Sequence, residues 1–416
     1  MKALVYRLSL PRVVLAKLLA HRWPWLVYGP AGAVAYTDWP DPVPRGEDWA
    51  VVAPRLAGLC GSDIGVIAAH TSPSASPFSS FPAVLGHEVV GVIAQGGARV
   101  PWPAGTRVVV DPSISCTMRG LPPCPQCQRG FPYLCQRCTD GTLSPGFLVG
   151  FCRDLPGGWA QRMLAHASQL HPVPDGMPDE RAVLVEPLAI AAHGVLRRPP
   201  AAGARILVIG AGTIGLSTVA ALRLLGYDAH VTVAARHGMQ ARLARELGAS
   251  RVVSPADLGR AAAEAGARAF RPLIGRAVYR GGFDLVYDCV GTRRSLDDAL
   301  RLAREGGTVV LLGAAGEIPK IDWTFVWMRE LEVVGAVGYG LERVGGRTVH
   351  TFDLVLEALA AHPELPVERM VTHRFPLHRY REALQAALDR RASGAIKIVF
   401  TPNEGGAPTV STPRDG

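Results

Sequence analysis

The stretch Ile206-Leu207-Val208-Ile209-Gly210-Ala211-Gly212-Thr213-Ile214-Gly215 decides how the rest of this chain is read. The unbroken apolar run Ile206 to Ile209 has the pattern of a strand buried on both faces. It stops at Gly210, and Gly210, Gly212 and Gly215 stand in a G-x-G-x-x-G spacing. From Thr213 to Leu225 the chain is apolar and compatible with a helix, with Gly226 as its stop. Strand, glycine turn and helix is the context in which such a spacing binds a dinucleotide. Gly210 permits the tight turn, Gly212 lets the backbone approach a pyrophosphate, and Gly215 lets the helix lie close to the strand. Thr213 and Ile214 open the helix, whose first N–H groups face the anion.

Downstream, Val231-Thr232-Val233-Ala234 reads as the second strand of the same sheet. In an NAD-binding unit, an acid about 20 residues past the fingerprint accepts hydrogen bonds from the adenosine ribose. Here that position is Ala235, followed by Arg236 and His237. Alanine neither holds the ribose nor repels a phosphate, and a guanidinium beside it can fork onto a 2′-phosphate. The expected cofactor is therefore NADP(H) in preference to NAD(H).

Upstream lie groups that suit a metal. Cys60-Gly61-Ser62-Asp63 and Gly86-His87-Glu88 offer a thiolate and an imidazole, two of the three protein ligands of a catalytic zinc. Glu186 is a carboxylate in the apolar run Leu184 to Ala189, where a charge needs a partner or a metal. Glu88 competes with it for the third place. Cys124-Pro-Gln-Cys127 and Cys135 read as a closed structural zinc lobe, with either Cys116 or Cys138 as its fourth ligand. Of the chain's 8 cysteines, five fall between Cys116 and Cys138, which points to metal in a reducing compartment rather than a disulfide scaffold.

With 416 residues and 48% apolar content, the chain can fill more than one core. A net charge of +9 comes from arginines that are scattered rather than clustered, so nucleic-acid binding is not expected. Residues Arg7 to Tyr28 are apolar but broken by Arg7, Arg12, Lys17, His21, Arg22 and Pro24, too often for a membrane span or a signal peptide. Val13, Val14, Leu15, Leu18 and Leu19 fit one face of a short helix. This segment reads either as a helical insertion packed on the body or as a surface or membrane-contacting flap.

These segments, with Met1–Tyr6, Pro40–Pro44, Asp284–Gly291 and Gly306–Gly313, resemble the zinc-dependent medium-chain dehydrogenases of the alcohol, sorbitol and threonine dehydrogenase group. The resemblance implies an α/β chain in which a GroES-like, β-rich catalytic domain is interrupted by a doubly wound Rossmann sheet. The expected boundaries are a catalytic domain over 1–192 with its structural lobe at 111–140, a Rossmann domain over 193–337, a catalytic return over 338–400, and a disordered tail over 401–416. It further implies that Cys60 and His87 bind the catalytic zinc with Glu88, that Glu186 sits close by, bound directly or through water, that Asp63 orients His87, and that Ser62 relays the substrate proton. Two positions depart from the family pattern. Gly65 stands where many relatives have a relay histidine, leaving the cofactor ribose, water or His70 to finish the relay. Leu121 stands where the lobe's first cysteine usually falls. The implied activity is hydride transfer between NADP(H) and a secondary alcohol, polyol or amino alcohol, or the matching carbonyl. A homodimer or homotetramer in the cytoplasm, without a membrane partner, is expected. A cofactor-binding protein of the same fold without this chemistry is the competing class, and retention of Cys60, His87, Glu88 and Glu186 argues against it.

Overall fold

The computed structural model describes residues 1–19, 22–314, 316–403 and 409–410. The chain forms two units. One comprises Met1–Glu186, Tyr339–Leu356 and Val371–Gly416, and the other Pro187–Gly338 and Glu357–Met370. The expected boundaries at 193 and 337 thus shift to 187 and 338, and 357–370 leaves the catalytic return. The physical reason is that helices run through the joints. Val185–Arg197 and Thr351–Ala361 each begin in the first unit and end in the second. Within the second unit Arg369 pairs with Glu246 at 2.6 Å, anchoring the returning segment.

The first unit is built on strands. Trp49–Leu59 is its central strand, buried along nearly its whole length. It pairs antiparallel with Val89–Gly96, Met163–His166 and Lys397–Thr401. Pro54 is tolerated there because the register with Val89–Gly96 shifts between Pro54 and Leu56. A separate three-stranded sheet places Lys2–Tyr6 between Val34–Asp38 and Ala83–Val84. The tail is more ordered than expected over 401–403, where Thr401 ends a strand and the Asn403 amide donates to the Pro54 and Gln161 carbonyls, and at 409–410. Thr409–Val410 pairs antiparallel with Arg374 and His373, covering the edge of strand Val371–Pro376. The rest of that expectation, 404–408 and 411–416, lies outside the described residues.

The second unit carries a six-stranded parallel sheet in the order Arg251–Val253, Ala229–Ala234, Ala204–Ile209, Phe283–Asp288, Ala303–Leu311, Glu332–Gly335. In chain order this is 3-2-1-4-5-6, the doubly wound arrangement that binds a dinucleotide where the order reverses. Ala204–Ile209 is that first strand, and Thr213–Leu224 is the helix that follows the glycine turn. Gly210 has φ +97°, and a Cβ on Gly215 would sit 1.9 Å from the Gly210 carbonyl oxygen. Both positions therefore require glycine. An antiparallel hairpin, Arg268–Phe270 with Val278–Arg280, is added between the third and fourth strands.

Candidate active site

Three neighbouring strands of the first unit bring the reactive residues together. Because they run antiparallel, the end of Trp49–Leu59 lies beside the starts of Val89–Gly96 and Lys397–Thr401. Cys60 follows the first, His87 and Glu88 precede the second, and Lys397 begins the third. The Gly58 N–H donates to the Glu88 carbonyl at 2.7 Å, holding the first two ends in register.

One ligand atom each from Cys60, His87 and Glu88 lies within 4.8 Å of the others. His87 and Glu88 are buried, whereas Cys60 and Ser62 are half-buried. Asp63 is completely buried and works in two directions. Its Oδ2 accepts the Cys60 N–H at 2.9 Å, and its Oδ1 stands 3.4 Å from His87 Nδ1. Asp63 thereby favours a proton on Nδ1 and leaves Nε2 with a free lone pair, the arrangement a metal-binding histidine needs. Without a cation, burial opposes charge on His87, but Asp63 and Cys60 outweigh it and raise its pKa well above the ordinary value, so a metal at Nε2 would take the place of that second proton. The Ser62 hydroxyl lies 3.3 Å from Nε2.

Two carboxylates close the buried side. Glu88 pairs with the buried ammonium of Lys397, which also donates to the Leu59 carbonyl at 3.5 Å. Glu186, at the start of helix Val185–Arg197, accepts the Tyr339 hydroxyl at 3.2 Å. Burial, reinforced by the charge of Glu88, pushes Glu186 up to about 7. Burial, followed by the charge of Glu186, pushes Tyr339 well above its usual value, so it stays a neutral donor. Glu186 is not part of the three-residue group of Cys60, His87 and Glu88. Thiolate, imidazole and carboxylate, converging with one face less buried, fit an open zinc site. His70, one of the possible relay ends, is exposed on the loop after helix Gly61–Ile67.

Cys116, Cys124, Cys127 and Cys135 form a second group, with their sulfurs within 4.8 Å of one another. Cys116 and Cys135 are 3.4 Å apart. Cys138 is buried but outside the group, so Cys116 takes the fourth place. Leu121 packs against the cluster as a hydrophobe. Burial opposes ionisation of Cys124, but the N–H groups of Cys127, Gln136 and Gln126 bring it down to about 6. Burial and the neighbouring sulfurs push Cys127 up to about 11. Four packed thiols cannot all ionise unaided, and a divalent cation removes that conflict. The donor set fits a closed zinc site.

A third group, Asp111, His171 and His350, is held by carboxylate contacts, with the buried His171 Nε2 left without a hydrogen bond among the described residues. His171 Nδ1 meets Asp353 at 2.7 Å, and His350 Nε2 meets Asp111 at 3.3 Å. The Phe352 N–H donates to His350 Nδ1, so the ring proton sits on Nε2, where a cation would need a lone pair. It is a His–Asp network of the fold.

The sequence matches the family described as alcohol dehydrogenase GroES-like domain over residues 46–175 and that described as zinc-binding dehydrogenase over 213–360. L-galactonate-5-dehydrogenase of Escherichia coli K12 is 30% identical over 80% of this chain and 86% of its own length. D-arabinitol dehydrogenase 1 of Uromyces fabae is 28% identical over 86% and 91%. This chain belongs to the zinc-dependent medium-chain dehydrogenases. An NADP-bound structure from Sinorhizobium meliloti 1021, described as a zinc-binding dehydrogenase, shares 29% identity and a TM-score of 0.68 over 90% of this chain and 98% of its own. Like its family, the chain is an oxidoreductase acting on CH–OH donors with a small-molecule substrate.

In this dehydrogenase the second unit holds the residues expected to face the nucleotide. Gly210, Gly212, Thr213, Ile214 and Gly215 form the turn and helix start after the first strand, with Gly212 as the helix N-cap. Ala235 follows the second strand and is buried, its N–H bonded to the Val253 carbonyl at 2.9 Å. Arg236 is exposed at the same end of the sheet, and His237 caps helix Gly238–Glu246.

Reading the sequence missed Lys397 and Tyr339. Lys397 had a signal, as one of only four lysines, set in the apolar run Ala395 to Phe400. A buried ammonium implies a buried acid. Tyr339 had none, since its partner is 153 residues away.

Proposed function

We propose that this dehydrogenase oxidises a secondary alcohol, polyol or amino alcohol, or reduces the matching carbonyl, with NADP(H) as the preferred dinucleotide. The observation that carries the reading is the meeting of Cys60, His87 and Glu88, with the Ser62 hydroxyl 3.3 Å from His87. The names of the polyol and sugar-acid dehydrogenases that it resembles support the substrate class. The exposed Arg236 beside Ala235 supports the phosphorylated cofactor.

Cys60, His87 and Glu88 would hold the catalytic zinc, with Glu186 beside them, and Cys116, Cys124, Cys127 and Cys135 the structural one. Zinc at the open site supplies Lewis acidity toward a hydroxyl or carbonyl oxygen, and the nicotinamide supplies the hydride acceptor or donor. Asp63 keeps His87 and Cys60 in one geometry through its two oxygens. Ser62 takes the substrate hydroxyl proton during oxidation and returns it during reduction. Lys397 balances the charge of Glu88, and Tyr339 fixes Glu186, so neither buried acid swings into the substrate face.

A panel of vicinal diols, polyols, sugar acids and amino alcohols, assayed with NADP and NAD on protein of measured zinc content, tests the reading. Turnover should concentrate on secondary CH–OH groups, with about two zinc ions per chain. Protein holding two zinc ions yet inactive on every member with both cofactors would overturn the activity. A kcat/KM favouring NAD would overturn the cofactor preference alone.

A further inference from the structure

The N-terminal segment folds into helices Leu10–Leu19 and Trp25–Tyr28. The inner side of the longer helix does ordinary packing. Ala16 and Val27 are buried in the first unit's core, and Val13, Leu19 and Leu26 are half-buried. The outer side is the anomaly. Leu10, Val14 and Leu18 recur every four residues, forming one stripe, and are 74%, 56% and 63% exposed. Leu15 lies beside the stripe, and Leu8, Trp23 and Trp25 flank it, all exposed. A helix that keeps a second apolar stripe on its exposed side marks a surface meant for a protein or lipid partner. No helix among the described residues is long and apolar enough to cross a membrane.

Charge selects the occupant. Residues 1–37 contain no Asp or Glu, while Arg7, Arg12, Lys17 and Arg22 are interleaved with the apolar stripe. All four are exposed, and none has an ion-pair partner among the described residues. A second copy of this chain would set these cations against their own kind. Anionic lipid headgroups would neutralise them while the leucines, valine and tryptophans enter the acyl boundary. Leucine and tryptophan on one face with lysine and arginine at its margin is the composition of a helix lying in the bilayer interface.

We propose that residues 8–19 and 22–25 form a peripheral docking surface for bilayers containing anionic phospholipid. This departs from the expectation that no membrane takes part. It is independent of the substrate and cofactor readings. The outer face of helix Leu10–Leu19 lies in the headgroup region, with Trp23 and Trp25 anchoring its far end.

The test uses the full chain, sedimented with vesicles of phosphatidylcholine alone or mixed with phosphatidylglycerol. The protein should pellet with the mixed vesicles on the order of ten-fold more strongly than with the neutral ones, and less as salt rises. V14D/L18D, on two outward side chains, should abolish pelleting while leaving the thermal midpoint unchanged. R12E/K17E should weaken it on the order of ten-fold. Failure of the parent protein to pellet with either vesicle would overturn the proposal. So would undiminished pelleting of V14D/L18D. A lipid-free oligomer that V14D/L18D dissociates would reassign the face to a second copy.

Discussion

The two candidate metal-binding groups of the first unit are built in opposite ways. The cysteine group comes from one short stretch, Cys116 to Cys135, and contributes only sulfur. The other collects Cys60, His87 and Glu88 from strand ends, with Glu186, Tyr339 and Lys397 brought in from far along the chain. Its donors are mixed, and its Cys60 and Ser62 side is half-buried. A closed set of like ligands ties a lobe together. An open set, held by charges and hydrogen bonds behind it, keeps a place for substrate.

The strongest test of that difference is to remove one ligand from each group. Cys60→Ala should reduce turnover to background with little change in the thermal midpoint. Cys127→Ala should unfold the lobe and lower stability by several kcal/mol, on the order of a lost structural metal, with turnover falling only as folded protein is lost. A chelator should likewise remove the open-site zinc first, together with activity. If both variants lose activity and stability equally, the assignment of one open and one closed site fails.

Ser62→Ala comes next. It removes a proton carrier without touching the donor set, so kcat should fall by about 10² to 10⁴ while dinucleotide Kd is unchanged. Near-normal turnover at every pH would mean that the proton leaves by another route. With Gly65 in place of a relay histidine, that outcome would direct attention to water or the cofactor ribose.

The same contrast explains what could be read from the sequence. The glycine turn was legible because Ile206 to Gly215 is a local strand–turn–helix unit whose backbone needs are written in its glycines. The cysteine lobe was legible for the same reason, except for the choice between Cys116 and Cys138. That choice depends on which sulfur the fold turns toward Cys135, 3.4 Å from Cys116. In the proposed catalytic group, Cys60 and His87 stood out by their donor chemistry, and only the family resemblance chose Glu88 over Glu186 as the third member. The group's supports were not legible, because Lys397 reaches Glu88 by strand pairing and Tyr339 reaches Glu186 across 153 residues. The joints of the two units differ from the expected boundaries by up to six residues near 187 and 338, and segment 357–370 changes unit, where helices run through them. Hydrophobic periodicity does not change when a helix passes from one core to another.

Lys397→Met probes the support directly. In chelator-treated protein it leaves the Glu88 carboxylate buried and unpaired, which should cost about 3–5 kcal/mol of stability. Adding Glu88→Gln removes the orphaned charge, so the double variant should recover part of that stability in urea titrations. It should not recover turnover, because the proposed third ligand is gone. A single variant as stable as the parent would show that the pair does not hold the strand ends.

The smallest expected effect lies in the second unit, at Arg236. Strand Ala229–Ala234 lies second in the parallel sheet, and in the doubly wound arrangement the carboxyl end of that strand would face a dinucleotide's adenosine. Ala235 is buried there, with its N–H committed to Val253, and offers the ribose no acceptor. Arg236 is exposed and has no ion-pair or hydrogen-bond partner among the described residues. It can turn onto a 2′-phosphate without breaking an existing contact. Because it would bind from an exposed position, solvent screens the gain. Arg236→Ala should therefore raise the KM for NADP on the order of ten-fold, with kcat and the KM for NAD nearly unchanged. Arg236→Lys should recover only part, since an ammonium lacks the fork that matches phosphate oxygens. Ala235→Asp should act in the opposite sense, supplying the ribose acceptor and repelling the phosphate, so that the NADP-to-NAD ratio of kcat/KM falls further than with Arg236→Ala alone. An unchanged NADP KM in Arg236→Ala would show that this arginine is only a solvated charge, and the preference for the phosphorylated cofactor would then rest on nothing at this end of the strand.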